Sequence, residues 1–334
     1  MRENRRLTYI LAIAAATVLI VGVIAFAQAS RNKPELRMIT HTEIVKPVVN
    51  LLGSAKPLGV EPKTLQKNDI TSLISKDPRI KSALVKLGGI DEINAAQLLN
   101  YNGKRLLVIF TKGTENHPVV IDLATGEILP AKIIVIKRYH DRMRVPVNSE
   151  SRKQIKEMLE NLRASGKIKI TDQYENSLIA NYTRLYLYKE VKATSYQLLV
   201  KLNKNRPGYT PLAYYLSATT CMPWYIAGHL VYEVCASGLF YVDPGNAVYV
   251  VSDNSYYIVN LPYSNCKFHH STSATPVSAS IRADGEAALL DCPVTTKLSA
   301  WAVSTVDKWG NFFPNGGGSK WIAFGCGCQS IPMP

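Results

Sequence analysis

The spacing of apolar and polar positions changes character along the chain. Ile10 to Ala27 is a run of eighteen residues without a charge. Arg2, Arg5 and Arg6 precede it, and Ala27-Gln28-Ala29 ends it before Ser30. A basic start, an apolar stretch and small residues two apart at its end make up the layout of a secretory signal. At about 1.5 Å per helical residue the run also approaches the ~30 Å hydrocarbon thickness of a bilayer. Residues 10–29 therefore read as a signal peptide or a transmembrane helix, behind a basic cytoplasmic n-region at residues 1–9. A helix buried in a soluble core fits less well, because the run has no polar face.

Beyond residue 30 the period first alternates between helix and strand. Asp77-Pro78 predicts a helix start, with Ile80, Leu84 and Leu87 on one face and Gly88-Gly89 as its end. Strand-like segments follow near 105–111, 118–123 and 127–137, and Leu123-Ala124-Thr125-Gly126 predicts a tight turn between the last two. Ser151 to Gln154 has the form of a capping box, and Ile155, Met158, Leu159 and Leu162 place a second helix behind it. Two more strands are expected near 183–191 and 195–202. In the first, Leu185 and Leu187 alternate with Tyr186 and Tyr188, which implies cover on both faces.

From residue 206 the pattern becomes one of short strands between strong turn formers. Segments 231–234, 239–242, 247–251 and 256–261 are separated by Asp243-Pro244-Gly245-Asn246 and Asp253-Asn254-Ser255. Similar segments fall near 278–282, 287–291, 298–303 and 320–324. This rhythm predicts an all-β sandwich or barrel. Gly316-Gly317-Gly318 is expected in a flexible polar loop.

Charge and cysteine sharpen the division. Through Asn205 the chain carries 33 Lys plus Arg against 18 Asp plus Glu, and from Arg206 it carries 6 against 7. The turn-rich Asn203 to Pro211 therefore separates a basic α+β domain, residues 30–205, from a near-neutral β domain, residues 206–334. Charges flank the apolar run on both sides, since Arg31, Lys33 and Arg37 follow it, so they do not orient it. Cys221, Cys235, Cys266, Cys292, Cys326 and Cys328 all lie beyond residue 220. An even number in one region predicts disulfides and an oxidising, extracytoplasmic compartment, although hyperthermophile interiors also allow them. Cys326 and Cys328 sit too close to bridge each other without strain, which points to two distant partners and a tied-down C-terminus. Asn181-Tyr182-Thr183 offers a glycosylation acceptor at Asn181.

Asn102 to Phe110, followed by Val119 to Ile128 with its Asp122-Leu-Ala-Thr-Gly126 turn, resembles the two strands and turn of PepSY-type extracytoplasmic domains. The resemblance covers residues 70–129. It implies a helix packed on a sheet and a binding or inhibitory module rather than an active site.

Candidate chemistry is sparse. His229 and Glu233 are four apart, and His269 with His270 lies in a Ser/Thr-rich loop beside Cys266. In a strand His229 and Glu233 share a face, over 13 Å apart. No HExxH, GxSxG, GxxxxGK[ST] or GxGxxG pattern is present, so neither a metal nor a cofactor is expected. Lys132, Lys137, Arg138, Arg142 and Arg144 cluster with Tyr139 and His140. Export argues against nucleic acid as their partner and favours anionic lipid or an acidic envelope polymer. The expected protein is an extracytoplasmic binding or structural component of a cell surface, appendage or envelope, anchored to the membrane by its N-terminal helix or secreted. The alternative is a secreted hydrolase using His229, Glu233 and His269.

Overall fold

The computed structural model describes residues 49–85, 90–111, 118–147, 150–203, 207–329 and 331–332. The leader at residues 1–29 lies outside them. Among the described residues no helix is long and apolar enough to cross a membrane.

The described residues form three open antiparallel sheets. After the short β1 (Val49–Asn50), the first sheet takes β2 (Glu61–Leu65), β3 (Ile93–Tyr101), β4 (Lys104–Thr111), β5 (Val119–Asp122) and β6 (Glu127–Leu129) in that order. Helices α1 (Lys67–Lys76) and α2 (Pro78–Val85) pack on one of its faces, where Ile70 and Ile80 meet Ala96, Leu107, Ile109 and Ile121. The helix expected at Asp77-Pro78 is α2, and Asp77 Oδ1 accepts from the Arg79 amide at 2.9 Å. The Asp122 turn is also observed. Asp122 Oδ1 accepts from the Ala124 amide, the Gly126 amide donates to the Asp122 carbonyl at 2.7 Å, and Gly126 takes a φ of +72°. A residue with a Cβ is strained at that angle.

The middle sheet is ordered β11 (Ala247–Asp253), β10 (His229–Asp243), β9 (Thr210–Ile226), β8 (Leu185–Val200), β7 (Ala131–Val145), with β12 (Tyr256–Val259) also on β10. Both of its faces are covered along much of its length. Leu212, Ala213, Tyr214, Tyr215 and Leu216 are buried in succession. Continuous apolar runs of this kind mark strands with cover on two sides. Ala213 and Tyr215 meet Phe110, Leu99 and Val108 of the first sheet, and the Phe110 and Tyr215 rings cross edge-on with centroids 5.0 Å apart. The Tyr215 hydroxyl donates to Gln97 Oε1 at 2.9 Å, so the polar end of this ring is paired within the layer.

The opposite face packs on the outer sheet, ordered β1, β16 (Asn311–Phe324), β15 (Val294–Asp307), β14 (Ser278–Leu289) and β13 (Tyr263–Ala274), with β17 (Ile331–Pro332) on β16. These two sheets form a sandwich. Its core holds Trp224, Tyr232 and Phe240 against Ile281, Leu298 and Phe312. Among the described residues no sheet closes on itself, so a sandwich replaces the barrel alternative. Gly316, Gly317 and Gly318 lie in β16, not in a loop. A Cβ on Gly316 would meet Met222 Sδ at 2.5 Å, and one on Gly318 would meet the Ser299 carbonyl at 2.4 Å. The run is glycine because Met222, Trp224 and Trp301 need that space.

A helical hairpin, α3 (Arg152–Ala164) and α4 (Asp172–Arg184), joins β7 to β8 and covers Val294 and Ile322 of the outer sheet. The expected capping box is present, with the Gln154 amide donating to Ser151 Oγ and the Ser151 amide donating to Gln154 Oε1. At the C-terminus of α4, the buried Lys320 Nζ donates to the carbonyls of Tyr182 and Leu185 at 2.7 and 3.0 Å. A cation placed there answers the negative end of the helix dipole. Its burial lowers the ammonium pKa to about 8.

The bridges are Cys221–Cys235, Cys266–Cys328 and Cys292–Cys326. Cys326 and Cys328 each take a distant partner, and the C-terminal segment is held against β13 and the β14–β15 connection. The three disulfides fit an extracytoplasmic protein. The compositional boundary at 205/206 does not separate layers. It falls between β8 and β9, which pair from Leu185 opposite Ile226 to Val200 opposite Thr210.

The Gly318→Val variant is expected to lose about 1–3 kcal/mol of stability through overpacking. A urea midpoint unchanged from the wild type would contradict this account of β16.

Candidate functional site

Basic and aromatic side chains meet on the part of the middle sheet that the first sheet leaves uncovered. β7 pairs with β8 so that Arg138 opposes Thr194, His140 opposes Lys192, Arg142 opposes Glu190 and Arg144 opposes Tyr188. Residues two apart in a strand share a face, so Arg138, His140, Arg142 and Arg144 form one row at about 6.8 Å intervals. All four are exposed. Tyr139 faces the opposite way and packs on the sandwich core, so the sequence cluster divides between two faces.

Three tyrosines lie beside this row. Tyr186 and Tyr225 stack with centroids 6.0 Å apart and planes 13° apart. Tyr188 meets both edge-on, at 5.6 and 5.7 Å. The Arg142 guanidinium lies 4.4 Å over the Tyr188 ring and 5.0 Å from that of Tyr225, while Arg144 lies 5.2 Å over Tyr186. Arg142 Nε also donates to Glu190 Oε1 at 2.8 Å. A guanidinium held by one carboxylate and two aromatic faces is pre-oriented, with part of its rotamer freedom already lost.

Glu233 lies on the same face of the sheet and is buried. Burial, reinforced by the charge of Glu190 and partly offset by Lys192, raises its carboxyl pKa to about 7. The Cys221 and Cys235 sulfurs and the Glu233 carboxylate lie within 4.8 Å of one another. Both sulfurs belong to one disulfide and so offer no thiolate to a metal.

The hydrolase candidates do not converge. A register shift between Leu230 and Tyr232 sets His229 opposite Ile226 and Glu233 opposite Pro223. Those partners are three apart in β9, so the bulge puts His229 and Glu233 on opposite faces, where an uninterrupted strand would have kept them on one. His269 lies in another sheet, in β13 opposite Asp284. His269 and His270 therefore belong to a strand and not to a loop. His270 Nδ1 is 2.8 Å from Asp253 Oδ2. Asn181 sits in α4, half-buried and next to the buried Tyr182.

The basic half of this face is legible in the sequence, but its tyrosine half, Tyr186, Tyr188 and Tyr225 in place of Tyr139, is not. Its signal was two matched alternations, Arg142/Arg144 and Tyr186/Tyr188, separated by some forty residues and brought together only by the β7–β8 register.

Stability should follow the Glu233 proton. Folding raises this pKa from an ordinary 4.5 to about 7, so between those values the unfolded chain binds fewer protons and stability falls as pH rises. The Glu233→Gln variant should abolish that part of the slope and gain about 1–3 kcal/mol over the wild type at pH 8. Denaturant titrations at pH 5 and pH 8 measure both; parallel pH profiles for variant and wild type would show that Glu233 is not buried as a proton-retaining acid.

No protein-family model, no curated protein and no solved structure matches this chain.

Proposed function

We propose that this is an extracytoplasmic binding protein, held at the membrane by its N-terminal segment or released from it, whose open middle-sheet face takes a linear acidic polymer of the envelope. The observation that carries this reading is the row of Arg138, His140, Arg142 and Arg144 beside the three-tyrosine cluster. Arginines repeated along one strand face suit an extended polyanion, and aromatic faces suit the flat apolar sides of sugar rings. The dispersal of His229, Glu233 and His269 favours binding over hydrolysis. A binding module is also what the likeness of residues 70–129 to PepSY-type domains implies.

Binding of the full chain to a soluble polyuronate should weaken steeply with added salt, as screened charge contacts do. An Arg142→Glu/Arg144→Glu double variant should bind at least about 10-fold more weakly, equivalent to about 1.4 kcal/mol. Equal binding to a neutral polysaccharide, or undiminished affinity in the double variant, would remove this assignment. Binding to anionic vesicles but not to the polyuronate would reassign the face to lipid.

A further inference from the structure

We infer that the protein self-associates through the free edge of β13, two copies pairing antiparallel so that their outer sheets join into one. β13 ends the strand order of the outer sheet, and no described strand pairs with its other side. His269 to Ala274 are exposed without interruption. The layer above reaches this strand only in part: His270 Nδ1 meets Asp253 Oδ2 of β11 at 2.8 Å, and open clefts lie between the layers at Thr272 and Ala274. Thr272 and Ala274 oppose Ile281 and Ala279, both buried on the inner side of the sheet, yet are themselves uncovered. A bare strand edge of this length is a template for another strand.

The occupant follows from charge. Natural edges are blunted by charged residues, and β7, the other long edge, carries Lys137, Arg138, Arg142 and Arg144. A β7 edge pairing with itself about His140 would set Arg138 against the partner's Arg142, like charge against like. From Phe268 onward β13 has no such defence. Phe268 to Ala274 contains no Lys, Arg, Asp or Glu, and the one register shift against β14 lies before it, between Asn265 and Lys267. Pairing about Ser271 would set His269 against the partner's Ser273 and His270 against the partner's Thr272, with no opposed charges. The strand is complementary to a second copy of itself, as a two-fold interface requires.

The flanking side chains agree with this register. Tyr257 and Tyr249 are each 42% exposed at this edge of the sandwich, and Ile258 is 37% exposed. The Tyr257 ring lies 5.1 Å from that of Phe268. Tyr249 and Ala274 line one cleft of about 410 Å³ between β2, β11 and β13. Pairing about Ser271 places Phe268 opposite the partner's Ala274, and so brings Tyr257 toward the partner's Tyr249. Exposed aromatic side chains clustered beside an open strand edge mark a protein contact rather than a solvated rim.

The test uses the full chain in a mild detergent. Sedimentation should give the mass of two chains, dissociating on dilution. The Thr272→Lys variant, which sets a lysine against the partner's His270 on both sides of the two-fold axis, should shift the dissociation constant by at least about 10-fold, a charge placed on a strand edge being the usual bar to such pairing. Ile134→Lys on the β7 edge should leave the mass unchanged. In Ser271→Cys the new thiols face each other on the axis, and mild oxidation should give a reducible covalent dimer. That arm decides the matter even if Thr272→Lys fails to fold. A single-chain mass at every concentration, a dimer indifferent to Thr272→Lys, as association through residues 10–27 would give, or absence of the cross-link in Ser271→Cys would overturn the inference.

Discussion

Cover on both faces of β8, β9 and β10 is the constraint on which the rest of the molecule depends. A sheet buried on one side needs one partner layer, whereas this one needs two. The sequence meets that need by placing Tyr215, Leu239 and Tyr241 toward the first sheet and Leu216, Trp224 and Phe240 toward the outer sheet. The outer sheet comes close enough because β16 carries glycine where Met222 and Trp224 press against it. The indole Nε1 of Trp224 donates to the Ser299 carbonyl at 3.0 Å across the interface, so the largest side chain of the sandwich is buried with its polar atom satisfied. Three layers thus share one central sheet, and two disulfides tie the C-terminal segment to β13 and to the β14–β15 connection of the outer layer.

The candidate site is a consequence of that layering. The first sheet is shorter than the middle one and covers only the end containing Leu198, Val200 and Tyr215. The remainder of that face must still satisfy half-buried strands. It does so with tyrosines whose rings shield one another, arginines stacked on them, and a disulfide between directly opposed residues of β9 and β10. The result is a rigid, cationic, aromatic surface on a scaffold that does not have to move. The proposed binding of an acidic polymer rests on this surface.

Local chemistry was legible and distant pairing was not. α2, α3 and the Asp122 turn were readable because a cap, a capping box and an Asp–Gly turn act over three or four residues. α4 was missed. Thr171 caps it by accepting from the Tyr174 amide, but its buried stripe of Leu178, Ile179 and Tyr182 is short, and the tyrosine-rich stretch that follows it reads as strand. The long strands were broken into pieces because serines, glycines and bulges interrupt β10, β14 and β16 while the hydrogen bonding continues through them. The charge boundary at 205/206 was real as composition and uninformative as architecture. Among them, Lys132, Lys137, Arg138, Arg142 and Arg144 of β7 and Arg152, Lys153 and Lys156 of α3 are exposed, and solvent exposure does not show which layer lies beneath. Likewise the His229–Glu233 spacing suggested a shared face, which a single bulge removed.

The most direct test of this layering is hydrogen exchange followed by mass spectrometry under rising denaturant, comparing peptides from β4 with peptides from β15. These strands lie in different sheets and on opposite sides of residue 205, yet both rest on the middle sheet. If that sheet is the shared foundation, the two sets of amides should lose protection in one cooperative step at the same denaturant concentration. If β4 amides stay protected after those of β15 have exchanged, or the reverse, the layers fold independently and the central claim is wrong.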